Sequence, residues 1–326
     1  MTEPGPEQMP SVELCAVVVA VAADVPRVLI VRQPGPQAGI LPSGPLQPSH
    51  RTLERGLRAW VEEQTGRTLG YVEQLYTFGD QNRRPLAPGT EAGRPERAIS
   101  VAYLALIGDA EAAAGSSEWR DWHDCFPWED RRGDGGRAFS AVTAALAAWA
   151  GAAPTPAETR LREERVRVTF GDGHAWDNER VLERYELAYE AGLVVEAWRD
   201  RGLPPPSPAA LPPSLAMAGD CRRILATAIG RLRAKIKYRP VLFELMPPAF
   251  TLLQLQRTAE AISGVELHKQ NFRRLVEREG LVEEAEGMAA DTGGRPARLM
   301  RFRREVVLER PAPGVRLGAT RRASLV

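Results

Sequence analysis

The spacing of apolar positions changes several times along the chain, and each change predicts an element. Glu13–Val21 and Arg27–Val31 are valine-rich runs separated by Asp24 and Pro26, which predicts two strands of a hairpin. A loop rich in proline and glycine follows (PGPQAGILPSGPLQPSH). From Thr52 to Gln64, Leu53, Leu57 and Val61 recur every four residues, the spacing of one helix face, and Gly66 stands where a left-handed cap would end it. YVEQLYTFGD and AISVAYLALI predict two more strands around a polar loop at 81–97. The tryptophan-rich WRDWHDCFPWED, with Trp119, Trp122 and Trp128, then leads to an alanine-rich helix over 140–150. The tryptophan cluster reads as a lid, a dimer face or simple core. Residues 178–191 predict a further helix, capped by Asp177 or Asn178, with Val181, Leu182, Tyr185 and Tyr189 on one face.

Residues 220–310 carry the clearest pattern. DCRRILATAIGRLRAKIKY predicts an amphipathic helix with Ile224, Ala228, Leu232 and Ile236 inward, ended by Tyr238-Arg239-Pro240. VLFELMP predicts a short strand. TLLQLQRTAEAIS predicts a helix capped by Thr251, Gly264 a turn, and residues 267–276 a second helix ending at Gly280. LVEEAE and ARLMRF predict a closing hairpin. Helix, strand, helix, turn, helix, hairpin is the order of a winged helix-turn-helix, in which the helix after Gly264 would enter the DNA major groove. Phe272, Leu275 and Val276 would face inward, leaving His268, Lys269, Gln270, Asn271, Arg273 and Arg274 for DNA. Arginine can pair with guanine, asparagine and glutamine with adenine, and all the cations with phosphate. His268 reads as a cap or phosphate contact. Thr251 and Gln254, at the start of the preceding helix, and Arg295 and Arg298, in the wing, complete the expected DNA-contacting set.

Charge sharpens this picture. The 326 residues hold 43 Lys+Arg and 42 Asp+Glu, yet from Gly219 onward there are 21 basic and 12 acidic residues. A basic C-terminal module thus follows an acidic N-terminal part, as expected of a nucleic-acid binder. A winged helix that contacts only proteins is the rival reading. Three scattered cysteines and four histidines without ligand spacing give no reason to expect zinc, another metal or a disulfide framework. The longest apolar run, LCAVVVAVAA, is too short to span a bilayer, and the N-terminus lacks a signal-peptide pattern, so a cytoplasmic protein is expected.

The expected fold class is α+β, with an N-terminal mixed-sheet domain over 11–150 and a winged helix-turn-helix over 220–312. Between them, 151–219 reads as a helical extension and a semi-rigid proline-rich linker (GLPPPSPAALPPSLAMAG).

The stretch from KIKYRPVLFELMPPAFTLLQLQRTAEAISG through LHKQNFRRLVEREGLVE to GGRPARLMRF resembles the C-terminal winged helix of the Nudix-related transcriptional regulators of NAD metabolism, the NadQ and NrtR types. YVEQLYTFGD and AISVAYLALI resemble their Nudix-like half. WDNERVLERYELAYEAGLVVEAWRD looks closer to the NadQ type. The resemblance implies a homodimeric repressor binding operator DNA near NAD-biosynthesis genes. It also implies control by an adenine-containing effector (ADP-ribose, NAD or ATP) with no cofactor required.

Nudix hydrolases carry G-x5-E-x7-R-E-U-x-E-E-x-G-U, whose glutamates hold Mg²⁺ on a pyrophosphate. The matching region here is LPSGPLQPSHRTLERGLRAWVEEQTGR. Counted back from Gly66, the R-E pair becomes Ala59-Trp60 and the E-E pair Glu63-Gln64. Counted forward from Gly44, they become Arg58-Ala59 and Glu62-Glu63. Either register lacks the glutamate of R-E and the one before x7, which predicts a degenerate box that binds a nucleotide without hydrolysing it. The alternative is an active pyrophosphatase on ADP-ribose or a dinucleotide. Effector candidates are Arg32 for a phosphate, Tyr76, Phe78 and Tyr103 for stacking on adenine, and Asp80 for the ribose. Each aromatic also reads as core, and Asp80 as a turn residue.

Overall fold

In a computed structural model, the structure describes residues 10–33, 39–79, 97–110, 115–133, 136–171, 176–289, 296–309 and 312–315. The valine runs form β1 (Ser11–Ala22) and β2 (Val25–Val31), an antiparallel pair with Ala22 opposite Val25. The two residues between them, Ala23 and Asp24, both sit at left-handed φ, 50° and 62°. This is the backbone of a type I′ hairpin turn, a geometry that favours Asn-Gly. Alanine has no local hydrogen bond to offset this conformation. Ala23→Gly should therefore raise stability by about 1 kcal/mol, read as a higher melting temperature.

β3 (Ser43–Pro45), α1 (Leu53–Thr65), β4 (Tyr71–Phe78), β5 (Ala98–Leu106) and β6 (Ser117–Asp121) complete the first half. The sheet order is β4-β5-β1-β2-β6, with β3 paired to β1, and β1 runs parallel to β5 while its other neighbours are antiparallel. Both faces of β1 are covered, which is why its sequence is a continuous apolar run and not an alternation. Leu14, Ala16 and Val18 point to Leu57 and Val61 of α1. Cys15, Val17 and Val19 belong to the larger core on the other face. Helix α1 has the predicted ends: the Thr52 hydroxyl accepts from Arg55 N, and Gly66 is left-handed.

Next come α2 (Trp122–Cys125), a 3-10 turn at Pro127–Glu129, α3 (Gly136–Gly151), α4 (Pro156–Phe170), α5 (Val181–Glu190) and α6 (Val195–Arg199). Helix α4 lies outside the sequence-based expectation. Only Phe170 of it is buried, so no apolar stripe betrays it. Its ends carry the signal that exists, with Thr155 as cap, Pro156 at the first position and Gly171 left-handed beyond. The expected cap of α5 is displaced: Asp177 accepts from Glu179 N, one turn before the helix begins. Trp122 and Trp128 are core residues. The proline-rich segment lies against the body at its end, where Leu215 N bonds Asp124 O, Ala218 N bonds Gly39 O, and Met217 is fully buried.

The C-terminal part contains α7 (Cys221–Ile236), α8 (Leu252–Ser263), α9 (Lys269–Arg278), β7 (Val282–Ala289), β8 (Ala297–Phe302) and α10 (Val306–Glu309). VLFELMP departs from its predicted strand. Val241–Leu245 is a 3-10 turn, framed by Pro240 and by Pro247-Pro248, with Val241, Leu242, Phe243 and Leu245 buried. A short apolar run does not by itself distinguish strand from helix. The third position of the wing sheet is taken instead by Phe250, bridged to Met300. The large core runs without interruption from Val17 and Ile30 of the sheet through Leu232 of α7 to Leu255, Phe272 and Val276 of the helix-turn-helix.

Candidate nucleic-acid interface and ligand-binding half

Helix α8 begins with a capping box. The Thr251 hydroxyl accepts from Gln254 N at 3.2 Å, and Thr251 N donates to the Gln254 amide oxygen at 2.7 Å. Both expected DNA contacts are thus committed to helix start, and Thr251 is buried. Gly264 closes α8 at φ 70° and allows the turn. Helix α9 starts at Lys269, with His268 at the cap position but making no side-chain cap bond. Phe272 and Val276 anchor it in the core. His268, Lys269, Gln270, Asn271 and Arg274 are exposed, and Arg273 is half-buried with its Nε enclosed and without a partner.

Among the described residues, Lys269, Arg273 and Arg274 take part in no ion pair, while most wing and flanking arginines do. Arg298 pairs with Glu284, Arg301 with Glu283 and Arg303 with Glu309. Arg295 lies outside the described residues. Among the described residues of 250–303, the cations without an ion pair are thus those of one short helix that also offers amide side chains, which suits an anionic, base-bearing surface.

A buried ionic group sits against the turn that precedes this helix. Glu129, from the 3-10 turn after α2, is fully buried and receives Arg184 of α5 at 2.5 and 2.9 Å and Arg233 of α7 at 2.6 Å. Arg233 Nε also donates to Ile262 O near the end of α8, 2.8 Å away. Burial alone would raise the Glu129 carboxyl. The charges of Arg184 and then Arg233 outweigh it and hold the group below its ordinary range. No periodicity marks this residue. It ends the FPWE run, where an acidic side chain reads as surface.

The effector candidates do not converge. Tyr76 is 64% exposed and meets Phe78 edge-on at 5.4 Å, at the bulged end of β4. Tyr103 of β5 packs on the opposite, α1-covered face, and its hydroxyl donates to Gln74 at 3.4 Å. Burial raises its pKa, and Glu54 adds to the rise. Arg32 follows β2, which is separated from β4 by β5 and β1. It donates to Ser116 O at 3.4 Å and lies 4.0 Å from Glu118. Asp80 lies outside the described residues.

On α1, Glu62 and Glu63 are exposed. Trp60 Nε1 donates to Pro45 O at 3.0 Å and packs on Gly44, where a Cβ would overlap its ring. The Gln64 amide is clasped by the Ser43 backbone, accepting at 3.1 Å and donating at 2.7 Å. Among the described residues no cluster of three or more His, Cys, Asp or Glu forms a metal site, and no helix is long and apolar enough to cross a membrane.

The described residues thus form a mixed sheet with a helix on one face, joined through a common core to a winged helix-turn-helix. Residues 242–302 match the family model of the NrtR DNA-binding winged helix domain. The chain is 42% identical over 88 residues to the ADPR-responsive transcriptional repressor NtrR of Acinetobacter baylyi, a match covering 27% of this chain and 35% of that protein. The chain therefore spans about a third of the curated relative it matches. The fold is also that of Shewanella oneidensis NrtR solved with a 27mer DNA, at TM-score 0.52 and 18% identity, covering 91% of this chain and 95% of that one. It is similar as well to a MutT/nudix family protein from Enterococcus faecalis, at TM-score 0.50 and 16% identity over 93% of this chain and 90% of that one.

Proposed function

We propose that the chain is a DNA-binding transcriptional repressor of NAD-biosynthesis genes, acting as a homodimer whose DNA affinity is set by an adenine nucleotide held in the Nudix-like half. The observation that carries this reading is the exposed, unpaired face of α9 within a module matching a DNA-binding winged helix. Lys269 and Arg274 neutralise phosphates or pair with guanine, and Gln270 and Asn271 read adenine. His268 and Arg273 sit at the margins of this surface. Two recognition helices must stand about 34 Å apart, one DNA turn, to engage both half-sites. A nucleotide regulates only by binding the DNA-competent and incompetent forms unequally.

ADP-ribose is the effector this reading favours over NAD and ATP, supported by the name of the Acinetobacter relative. Arg32 serves a phosphate, and the exposed Tyr76, edge-on to the buried Phe78, serves the base. Binding without hydrolysis is supported by Trp60 and Gln64. In the register counted back from Gly66 they stand where metal-holding glutamates would, and both are engaged with the β3 backbone.

The test starts from a random pool of DNA duplexes from which the protein selects its own site. The recovered duplex should share a palindromic element, and micromolar ADP-ribose should change its affinity while NAD and ATP do so less. Recovery of no sequence above background would overturn the repressor reading. Mg²⁺-dependent release of AMP from ADP-ribose would overturn the non-hydrolytic one.

A further inference from the structure

The turn of the helix-turn-helix is not held by its own module alone. A strap at 129–133, just after the 3-10 turn of the first half, runs alongside residues 262–266 and bonds to them repeatedly. Arg131 N donates to Gly264 O at 2.7 Å. Gly133 N donates to the Glu266 carboxylate at 3.1 Å. A Cβ on Gly264 would overlap the Glu129 carbonyl oxygen, so the two backbones are in direct contact. The strap is itself anchored to the β1–β2 hairpin tip. Arg132 grips the Asp130 carboxylate at 2.9 Å and donates to Asp24 O at 2.9 Å, while the Asp24 carboxylate meets Arg257 of α8 at 3.1 Å.

We propose that this strap positions the recognition helix, and that Glu266 is a positioning residue. Its carboxylate fastens the outer end of the turn to Gly133, so the sheet's far edge sets the direction in which α9 is presented. The proposal rests on the reading that α9 is the DNA-contacting helix. β2 is a continuous rod from the hairpin tip to Arg32, and β6, paired to β2 along its length, leads into the strap. A change at the Arg32 end is thus mechanically connected to the turn.

Glu266 is exposed, so replacing it spares the core. Electrostatics also gives the test a sign. Removing a negative charge beside DNA should by itself tighten binding, equally for Glu266→Ala and Glu266→Gln. Positioning predicts a split between them: glutamine keeps an oxygen acceptor for Gly133 N–H and alanine does not. The experiment uses the full chain, measuring affinity for the duplex selected by the wild type and hydrogen exchange at 262–274 and at Gly133. Glu266→Ala should exchange about three- to tenfold faster at these amides and bind the duplex about three- to tenfold more weakly, while Glu266→Gln matches or exceeds the wild type. Equal behaviour of the two variants, or unchanged exchange in Glu266→Ala, would overturn the proposal. Failure of the wild type to select any duplex would count against the DNA reading, and the exchange measurement would still decide the strap.

Discussion

Replacing Lys269 and Arg274 together by alanine should weaken binding to the selected duplex by about a hundredfold, since each good base or phosphate contact contributes about 1–3 kcal/mol. The plot of log affinity against log salt should flatten by about one to two units, one for each phosphate that is no longer neutralised. Both side chains are exposed and without an ion partner, so the melting temperature should stay where it is. Arg298→Ala supplies the contrast. Its guanidinium is already paired with Glu284 in the wing, and its removal should change affinity by no more than a few-fold. Fluorescence anisotropy at several salt concentrations separates the outcomes. An unchanged slope in the double variant would remove α9 from the DNA surface.

Glu129→Ala should be the most destabilising single substitution in the chain, at about 3–5 kcal/mol, because it strands two buried guanidinium groups. The same carboxylate should give the protein an acid limit. Its folded pKa is depressed below the ordinary 4.5, so its contribution is fully present above that pH and is lost as pH falls through the folded value. Asp121 and Asp130 are depressed as well and act in the same direction. Thermal melts from about pH 7 down to about pH 3 should show a falling midpoint in the wild type and a shallower fall in Glu129→Gln, which has no proton to gain there. Parallel curves would mean that Glu129 is not the group responsible.

Much of the architecture is legible in the sequence because local signals and burial agree. The α1 stripe, the Thr251 cap and the Gly264 turn each follow from residue types that leave the backbone little choice. The outward face of α9 is legible too, since the Phe272/Val276 spacing fixes which side of the helix is buried. VLFELMP misleads because a buried apolar run satisfies a strand and a tight turn equally well, and only packing against Phe302 decides. Helix α4 is silent because it buries almost nothing. The ligand candidates differ for a geometric reason. Tyr103 and Phe78 both belong to strong strand patterns, but the face each one takes depends on pairing register and on the bulge between Gln74 and Thr77. The Glu129 cluster and the strap join residues more than 50 positions apart, and no local pattern encodes such a meeting.

The uninterrupted core has a consequence for how this chain can be handled and how it can diversify. A winged helix that hides its own apolar faces can be cut out and fused to another protein. Here Leu232, Leu255 and Ile262 share their surroundings with Val17, Val28 and Ile30 of the sheet. A graft beginning at Asp220 would carry an uncovered apolar flank into solvent and would tend to aggregate. The helix-turn-helix and its sheet are therefore exchangeable only as a pair. If α9 reads DNA as proposed, a new sequence preference is best introduced by changing its outward residues in place.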